Sequence, residues 1–416
     1  MKVPHKLEIE RISFDTESSR FSKQIRPEEC YRFIDPETKK AWGFVVVDNT
    51  QRGPGLGGIR VAPDITMHEV ARLAYVMTFK NSAANLPLGG GKAGVIANPD
   101  LLQSEPSTKR DLFYLLSESF YQIKNYIPAP DMGTDEKDIQ IIYEVFSGKL
   151  NSFEHRRGGA GRPVEKGGVP IDEWALTAHG LYSSVKSLEK FLPDFNLNGC
   201  TAVIQGYGNV GAPIARKIYN DGGIITGASD INAALWNPKG LDLDLLDAAR
   251  RKPGGLSNYS GPAERKWAFK QLDWLLEAPC DLLIPSARPD AINAKNADRL
   301  QCKAVIQGAN APSNKMTEYY LQNRRKIISL SDFIVNSGGV IGCAVELELN
   351  ANPAYKNKAL EIGLRNYLEN LIYKTVGNNT EVIFKTMSGG SKQDFLFREE
   401  AERLAKERIG LSEIWI

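Results

Sequence analysis

Residues 201–220 read TAVIQGYGNVGAPIARKIYN. An apolar run, Thr201–Gln205, leads into Gly206-Tyr207-Gly208-Asn209-Val210-Gly211 and then into a helical pattern. A GxGxxG match alone is weak, but strand, glycine turn and helix in that order are the context of a dinucleotide-binding turn. Gly206 permits the tight turn, Gly208 lets backbone meet a pyrophosphate, and Gly211 lets helix and strand pack closely. With Asn209 and Val210 between the glycines, the helix N-terminus supplies free N–H groups to phosphates. Asp230 ends the next apolar run, Ile224–Ser229, at about the ~20-residue distance at which an acid meets ribose hydroxyls. An acid there favours NAD, with NADP as the alternative.

Outward from this turn the pattern persists. Apolar runs at 281–285, 303–307 and 326–330 alternate with helical segments, which predicts a parallel sheet covered on both faces. A helix over 172–192 precedes them. The glycine- and charge-rich stretch 151–168 reads as a loop and a domain boundary. This predicts an α/β fold of two domains. Residues 1–170 form one, with 340–416 packing back on it, and 171–339 form a Rossmann-like, doubly wound unit. A loop is expected at Ser388-Gly389-Gly390-Ser391.

In the first domain, residues 41–49 read as a strand. Thr66 and Glu69 make a capping box, and Val70, Leu73, Ala74 and Met77 follow with helical period. Residues 107–124 form a second helix, and Thr134 reads as the cap of a third. The stretch 77–94, MTFKNSAANLPLGGGKAG, sets Lys80 at a helix end and Lys92 after three glycines. Two ammonium groups flanking a glycine turn suit a site where one cation holds a carboxylate and the other does acid–base work. Asp131, after Pro128 and Pro130, adds a carboxylate that by itself reads as a turn residue.

The 416 residues, 42% hydrophobic and 25% charged, carry a net charge of +2. That composition suits a soluble globular chain and offers no electrostatic reason to expect nucleic acid or a membrane surface. Five scattered cysteines and four histidines form neither a disulfide framework nor a metal motif. No signal-peptide core or membrane-length run appears, so a cytoplasmic protein is expected.

Seven motifs in order resemble the glutamate/leucine/phenylalanine/valine dehydrogenases: GPGLGGIR (53–60), MTFKNSAANLPLGGGKAG (77–94), IPAPDMGT (127–134), TAHG (177–180), GYGNVG (206–211), QGANAP (307–312) and VNSGGVIG (335–342). The likeness runs from about Val45 to Glu348. It implies an N-terminal substrate and oligomerisation domain, a Rossmann-like domain, and an active site in the cleft. The implied reaction is reversible oxidative deamination of an L-amino acid to a 2-oxo acid and ammonium, with hydride passing to a nicotinamide. By the same resemblance Lys80 holds the α-carboxylate, Lys92 activates water, and Asp131 shuttles protons. Gly57 offers backbone to the substrate, Met77 lies with the substrate-binding set, and Thr177 and Asn310 contact the nicotinamide side of the cofactor. The resemblance also implies a homo-oligomer, a hexamer or an octamer.

Leu56 stands where glutamate-specific members carry lysine, and Cys343 where they place a hydroxyl. An apolar Leu56 and Cys343 would leave a glutamate carboxylate buried without a partner. A hydrophobic substrate, branched aliphatic or aromatic, is therefore expected. Two alternatives remain: a glutamate dehydrogenase using another cation, such as Arg288, and a cofactor-binding subunit without catalysis.

Overall fold

The structure, a computed structural model, describes residues 3–14, 25–149, 158–268, 271–389 and 396–410. These divide into two units, one of Met1–Pro170, Val340–Leu364 and Ala405–Ile416, the other of Ile171–Gly339 and Arg365–Leu404. The tail therefore does not all return to the first unit: Arg365–Leu404 belongs with the second. The long Leu364–Gly389 helix turns its Val376 and Thr380 to the Leu176–Phe191 helix, where Thr380 meets Ser184 at 3.0 Å. The expected 388–391 loop lies partly outside the described residues; Ser388 and Gly389 close that helix.

The first unit is built on a mixed sheet of β1 (Glu8–Arg11), β2 (Glu29–Ile34), β3 (Ala41–Asn49), β4 (Gly55–Ala62), β5 (Gly89–Ile96) and β6 (Tyr126–Pro130), in the order β1-β2-β3-β5-β4-β6. β4 runs parallel to both β5 and β6, whereas β3 is antiparallel to β5. Side chains alternate between faces along each strand. Val45, Val47, Ile59, Val61, Ala93 and Val95 join one core with the Pro106–Gln122 and Glu136–Lys149 helices. Val46 packs on the opposite face against Val70, Ala71 and Ala74 of the Met67–Ala83 helix. Thr66 caps that helix by accepting from the Glu69 N–H.

The Glu136–Lys149 helix is capped differently from the sequence expectation. Asp135 accepts from the N–H groups of Lys137 and Asp138, while the Thr134 hydroxyl accepts from the Asp131 N–H at 2.8 Å and lies 3.0 Å from the carbonyls of Ile59 and Asp131. Thr134 thus braces the turn that carries Asp131.

The second unit holds β7 (Thr201–Gln205), β8 (Ile224–Ser229), β9 (Ala233–Trp236), β10 (Arg265–Ala268), β11 (Leu282–Pro285), β12 (Ala304–Ile306) and β13 (Ile328–Leu330), in the order β10-β9-β8-β7-β11-β12-β13. The five strands from β8 to β13 in this order are parallel. The edge departs from the all-parallel expectation, because β9 is antiparallel to β8 and β10 to β9. Only Asp230, Ile231 and Asn232 separate β8 from β9, too few for a crossover, so the chain must return as a hairpin. The Leu176–Phe191 helix starts later than expected because Ala175 is left-handed, with φ of 52°, which places Thr177 in the first turn.

Candidate active site

Strand register brings the first unit's site together. Leu56 pairs with Gly90 and Ile127, Arg60 with Gly94, and Lys92 with Val46. Alternation then puts Leu56, Arg60, Gly90 and Lys92 on the face that packs against the Met67–Ala83 helix. Asp131 follows β6 on the same side. That helix carries half-buried Met77 and buried Lys80 one turn apart. Glycine is required where helix and strand meet, since a Cβ on Gly90 would lie 2.1 Å from the Thr78 hydroxyl. Gly58 is required beside Asp131, because its Cβ would fall 2.6 Å from the Asp131 Cβ.

Lys92 Nζ lies 2.8 Å from Asp131 Oδ2, and Arg60 Nε lies 3.1 Å from the same oxygen. Arg60 also reaches Glu69 at 3.2 Å. The sequence set Lys92 against Lys80; in the structure the group that meets Lys92 is the Asp131 carboxylate. Burial pushes the Asp131 carboxyl up, but the Lys92 and Arg60 charges outweigh it and bring it down to about 2. It is therefore a carboxylate at neutral pH. Arg60 lies within GPGLGGIR and was given no role; its signal was its even spacing from Leu56 along one strand face.

Gly57 sits on β4 with its carbonyl accepting from the buried Tyr126 hydroxyl at 2.8 Å. Cys343 lies buried on the Gly338–Ala351 helix. Burial and then Glu346 push its thiol up, while the Lys80 charge acts in the opposite sense. Cys343 is therefore within electrostatic reach of Lys80, from a segment more than 260 residues later in the chain.

In the second unit the glycine turn has the shape its sequence requires. Gly206 has φ of +90°, a Cβ on Gly208 would meet nothing within 4 Å, and one on Gly211 would lie 2.0 Å from the Gly206 carbonyl. Open space over Gly208, at the start of the Gly211–Asn220 helix, fits a pyrophosphate laid against backbone. Val210 stands at the N-cap position of that helix. The Asn209 side chain is engaged by Asp172 at 3.0 Å and Arg250 at 2.8 Å. Asp230 accepts from the N–H groups of Asn232 and Ala233 on one oxygen and of Leu256 on the other. Its charge is thus held in place by backbone.

Thr177 and Asn310 are both met by the VNSGG segment. A Cβ on Gly339 would lie 3.2 Å from the Thr177 hydroxyl, and Asn336 Nδ2 donates to Asn310 Oδ1 at 3.2 Å. Asn336 and Arg398 were not singled out by sequence, because both act across long separations. Arg288 pairs with Asp273 at 2.6 Å, and both side chains are more than half exposed.

The family description glutamate/leucine/phenylalanine/valine dehydrogenase matches residues 167–403, and the dimerisation domain of the same dehydrogenases matches residues 27–148. The chain belongs to this family. It is 32% identical over 388 residues to the glutamate dehydrogenase of Aeropyrum pernix, covering 90% of this chain and 86% of that one. It is 31% identical over 300 residues to the catabolic NAD-specific glutamate dehydrogenase of Bacillus subtilis, covering 72% and 68%. Its fold matches the hetero-hexameric glutamate dehydrogenase of Thermus thermophilus in a leucine-bound form. The TM-score is 0.76 at 22% identity, over 92% of this chain and 89% of that one.

The protein is an NAD(P)-dependent amino acid dehydrogenase, an oxidoreductase acting on CH–NH2. Relatives named for NAD and for NADP both occur. These relatives are glutamate dehydrogenases, so placement in the hydrophobic-substrate branch is not supported by them. Among the described residues no helix is long and apolar enough to cross a membrane.

Proposed function

We propose that this dehydrogenase catalyses the reversible oxidative deamination of L-glutamate to its 2-oxo acid and ammonium, as a closed homo-oligomer. The chemistry rests on the Lys92–Asp131 pair, a buried lysine and a largely covered carboxylate on one sheet face beside the helix that carries Lys80. The substrate rests on the relatives' names. Lys80 holds the α-carboxylate by charge. Asp131 takes a proton from the substrate ammonium, leaving an amine whose lone pair can form the imine as hydride departs. Lys92, once it has released its own proton to solvent, draws a proton from the water that attacks the imine carbon, and Asp131 returns its proton to the nitrogen as it leaves. Gly206, Gly208 and the Gly211–Asn220 helix would hold the pyrophosphate, Asp230 the ribose, and Thr177 and Asn310 the nicotinamide side. The nicotinamide, when bound, accepts the hydride.

A second reading has one observation in its favour. Leu56 is 1% exposed on the strand face that carries Lys92, at the position where the resemblance puts lysine in glutamate-specific members. Burying that carboxylate unpaired costs several kcal/mol, whereas full burial of an apolar side chain gains about 1.5–3 kcal/mol. Since Arg288 is spent on Asp273 at the surface, glutamate needs another donor. NAD(P)H formation across a panel of L-amino acids separates the readings. Glutamate above all others supports the first, and leucine, valine or phenylalanine above glutamate supports the second. Silence with every substrate and both cofactors overturns both in favour of a non-catalytic subunit.

A further inference from the structure

We infer that Arg398 is a positioning residue for the loop carrying Asn310, and through it for the cofactor. The inference rests on the reading that Asn310 meets the nicotinamide side. Arg398 stands near the start of the Phe397–Ile409 helix, in a segment with no recognisable site motif. Its Nε donates to Glu318 Oε2 at 2.7 Å and its Nη2 to Glu318 Oε1 at 2.8 Å, a two-pronged grip that only the planar guanidinium makes. The same Nη2 reaches Asp332 Oδ1 at 3.0 Å and Gln307 Oε1 at 3.3 Å. Glu318 and Asp332 are fully and almost fully buried.

From these groups the hydrogen bonds run directly into the loop. The other oxygen of Asp332 accepts from the Ala311 N–H at 2.8 Å, the residue next to Asn310. Gln307, which opens the QGANAP segment, donates from Nε2 to Glu318, Ser313 and Ser329 at 2.7–2.9 Å. Asn336 holds the carbonyls of Gly308 and Ala309 and the Asn310 side chain. Ala311 has φ of +49°, a left-handed conformation that a non-glycine residue keeps only when its surroundings over-determine it. Asp332 supplies that constraint, and Arg398 holds Asp332. Without the fork, no single group would span Glu318 and Asp332 together. Asp332 could then move away from the Ala311 N–H and let the loop relax.

A purely structural arginine would lower the melting temperature and leave cofactor affinity intact. The test is titration of NADH and NADPH by fluorescence on full-length Arg398→Lys and Asn310→Ala, each checked for folding by thermal melting. Lysine keeps the charge and loses the fork. Both variants are expected to weaken binding of the preferred cofactor about ten-fold, while KM for the amino acid stays within two-fold for Arg398→Lys; a misplacement of about 1 Å can cost on the order of 100-fold in rate. Folded Arg398→Lys that binds like the parent, beside a weakened Asn310→Ala, overturns the inference alone. An unchanged Asn310→Ala removes the residue through which Arg398 acts, and overturns both. Should Arg398→Lys fail to fold, Asp332→Asn, whose single oxygen cannot serve both Arg398 and the Ala311 N–H, reads the same link with the same two outcomes.

Discussion

Replacing Asp131 with asparagine tests the centre of the candidate site, because it keeps the shape and removes the charge. In the folded protein the Asp131 carboxyl titrates at about 2, against an ordinary 3.8, with Lys92 at 2.8 Å and Arg60 at 3.1 Å as the cations that hold it down. A tenfold change in an acid's ionisation constant corresponds to ~1.4 kcal/mol, so the charged form contributes about 2 kcal/mol to folding at neutral pH. A depressed acid contributes in full above its unfolded value and loses that contribution as pH falls through its folded value. The parent should therefore exceed Asp131→Asn by about 2 kcal/mol at pH 7 in urea unfolding, and the gap should narrow by about 1 kcal/mol between pH 5 and pH 3. Lys92, with its side chain only 7% exposed, would lose its carboxylate partner, and Arg60 would keep only Glu69 at 3.2 Å, which can widen the neutral-pH gap further. Turnover should fall by roughly 100- to 10,000-fold as the proton acceptor is lost. A pH-independent stability gap, or a variant kcat within ten-fold of the parent, would refute the assignment.

Leu56→Lys should raise kcat/KM for glutamate relative to leucine in the same assay; an unchanged ratio means that residue 56 does not meet the side chain. Gly58→Ala pushes a methyl to 2.6 Å from the Asp131 Cβ and the Pro130 carbonyl, so kcat should drop by about 100-fold through displacement of the carboxylate. Retention of full activity would show that the strand gives way without moving Asp131. Asp230→Asn keeps one oxygen for the Asn232 and Ala233 N–H groups, gives up the acceptor for Leu256 and drops the charge, and should shift kcat/KM towards NADP; no shift would confine Asp230 to bracing the turn after β8.

Much of the fold was legible because its signals are short-range. The run TAVIQ, the three glycines and the helix after them specify a strand–turn–helix within twenty residues, and Gly206 and Gly211 occupy the strained and crowded positions their type requires. The Thr66 cap and the period of the following helix are equally local. The site residues were legible only as members of motifs, since nothing near Asp131 distinguishes a proton carrier from a turn aspartate.

Tertiary structure alone decided which groups meet. Arg60 reaches Asp131 across 71 residues and Arg398 reaches Glu318 across 80. Those encounters depend on the parallel register of β4 with β5 and β6, and on where the tail divides between the units. The β8–β9 hairpin and the cap at Asp135 were missed for a related reason. Both turn on competition between neighbours, such as Thr134 being drawn to Asp131 and Ile59, which only the assembled chain resolves. Periodicity and turn chemistry are properties of consecutive residues and survive in a linear reading. Ion pairs and shared faces are properties of register, and register is set by the burial of whole strands at once.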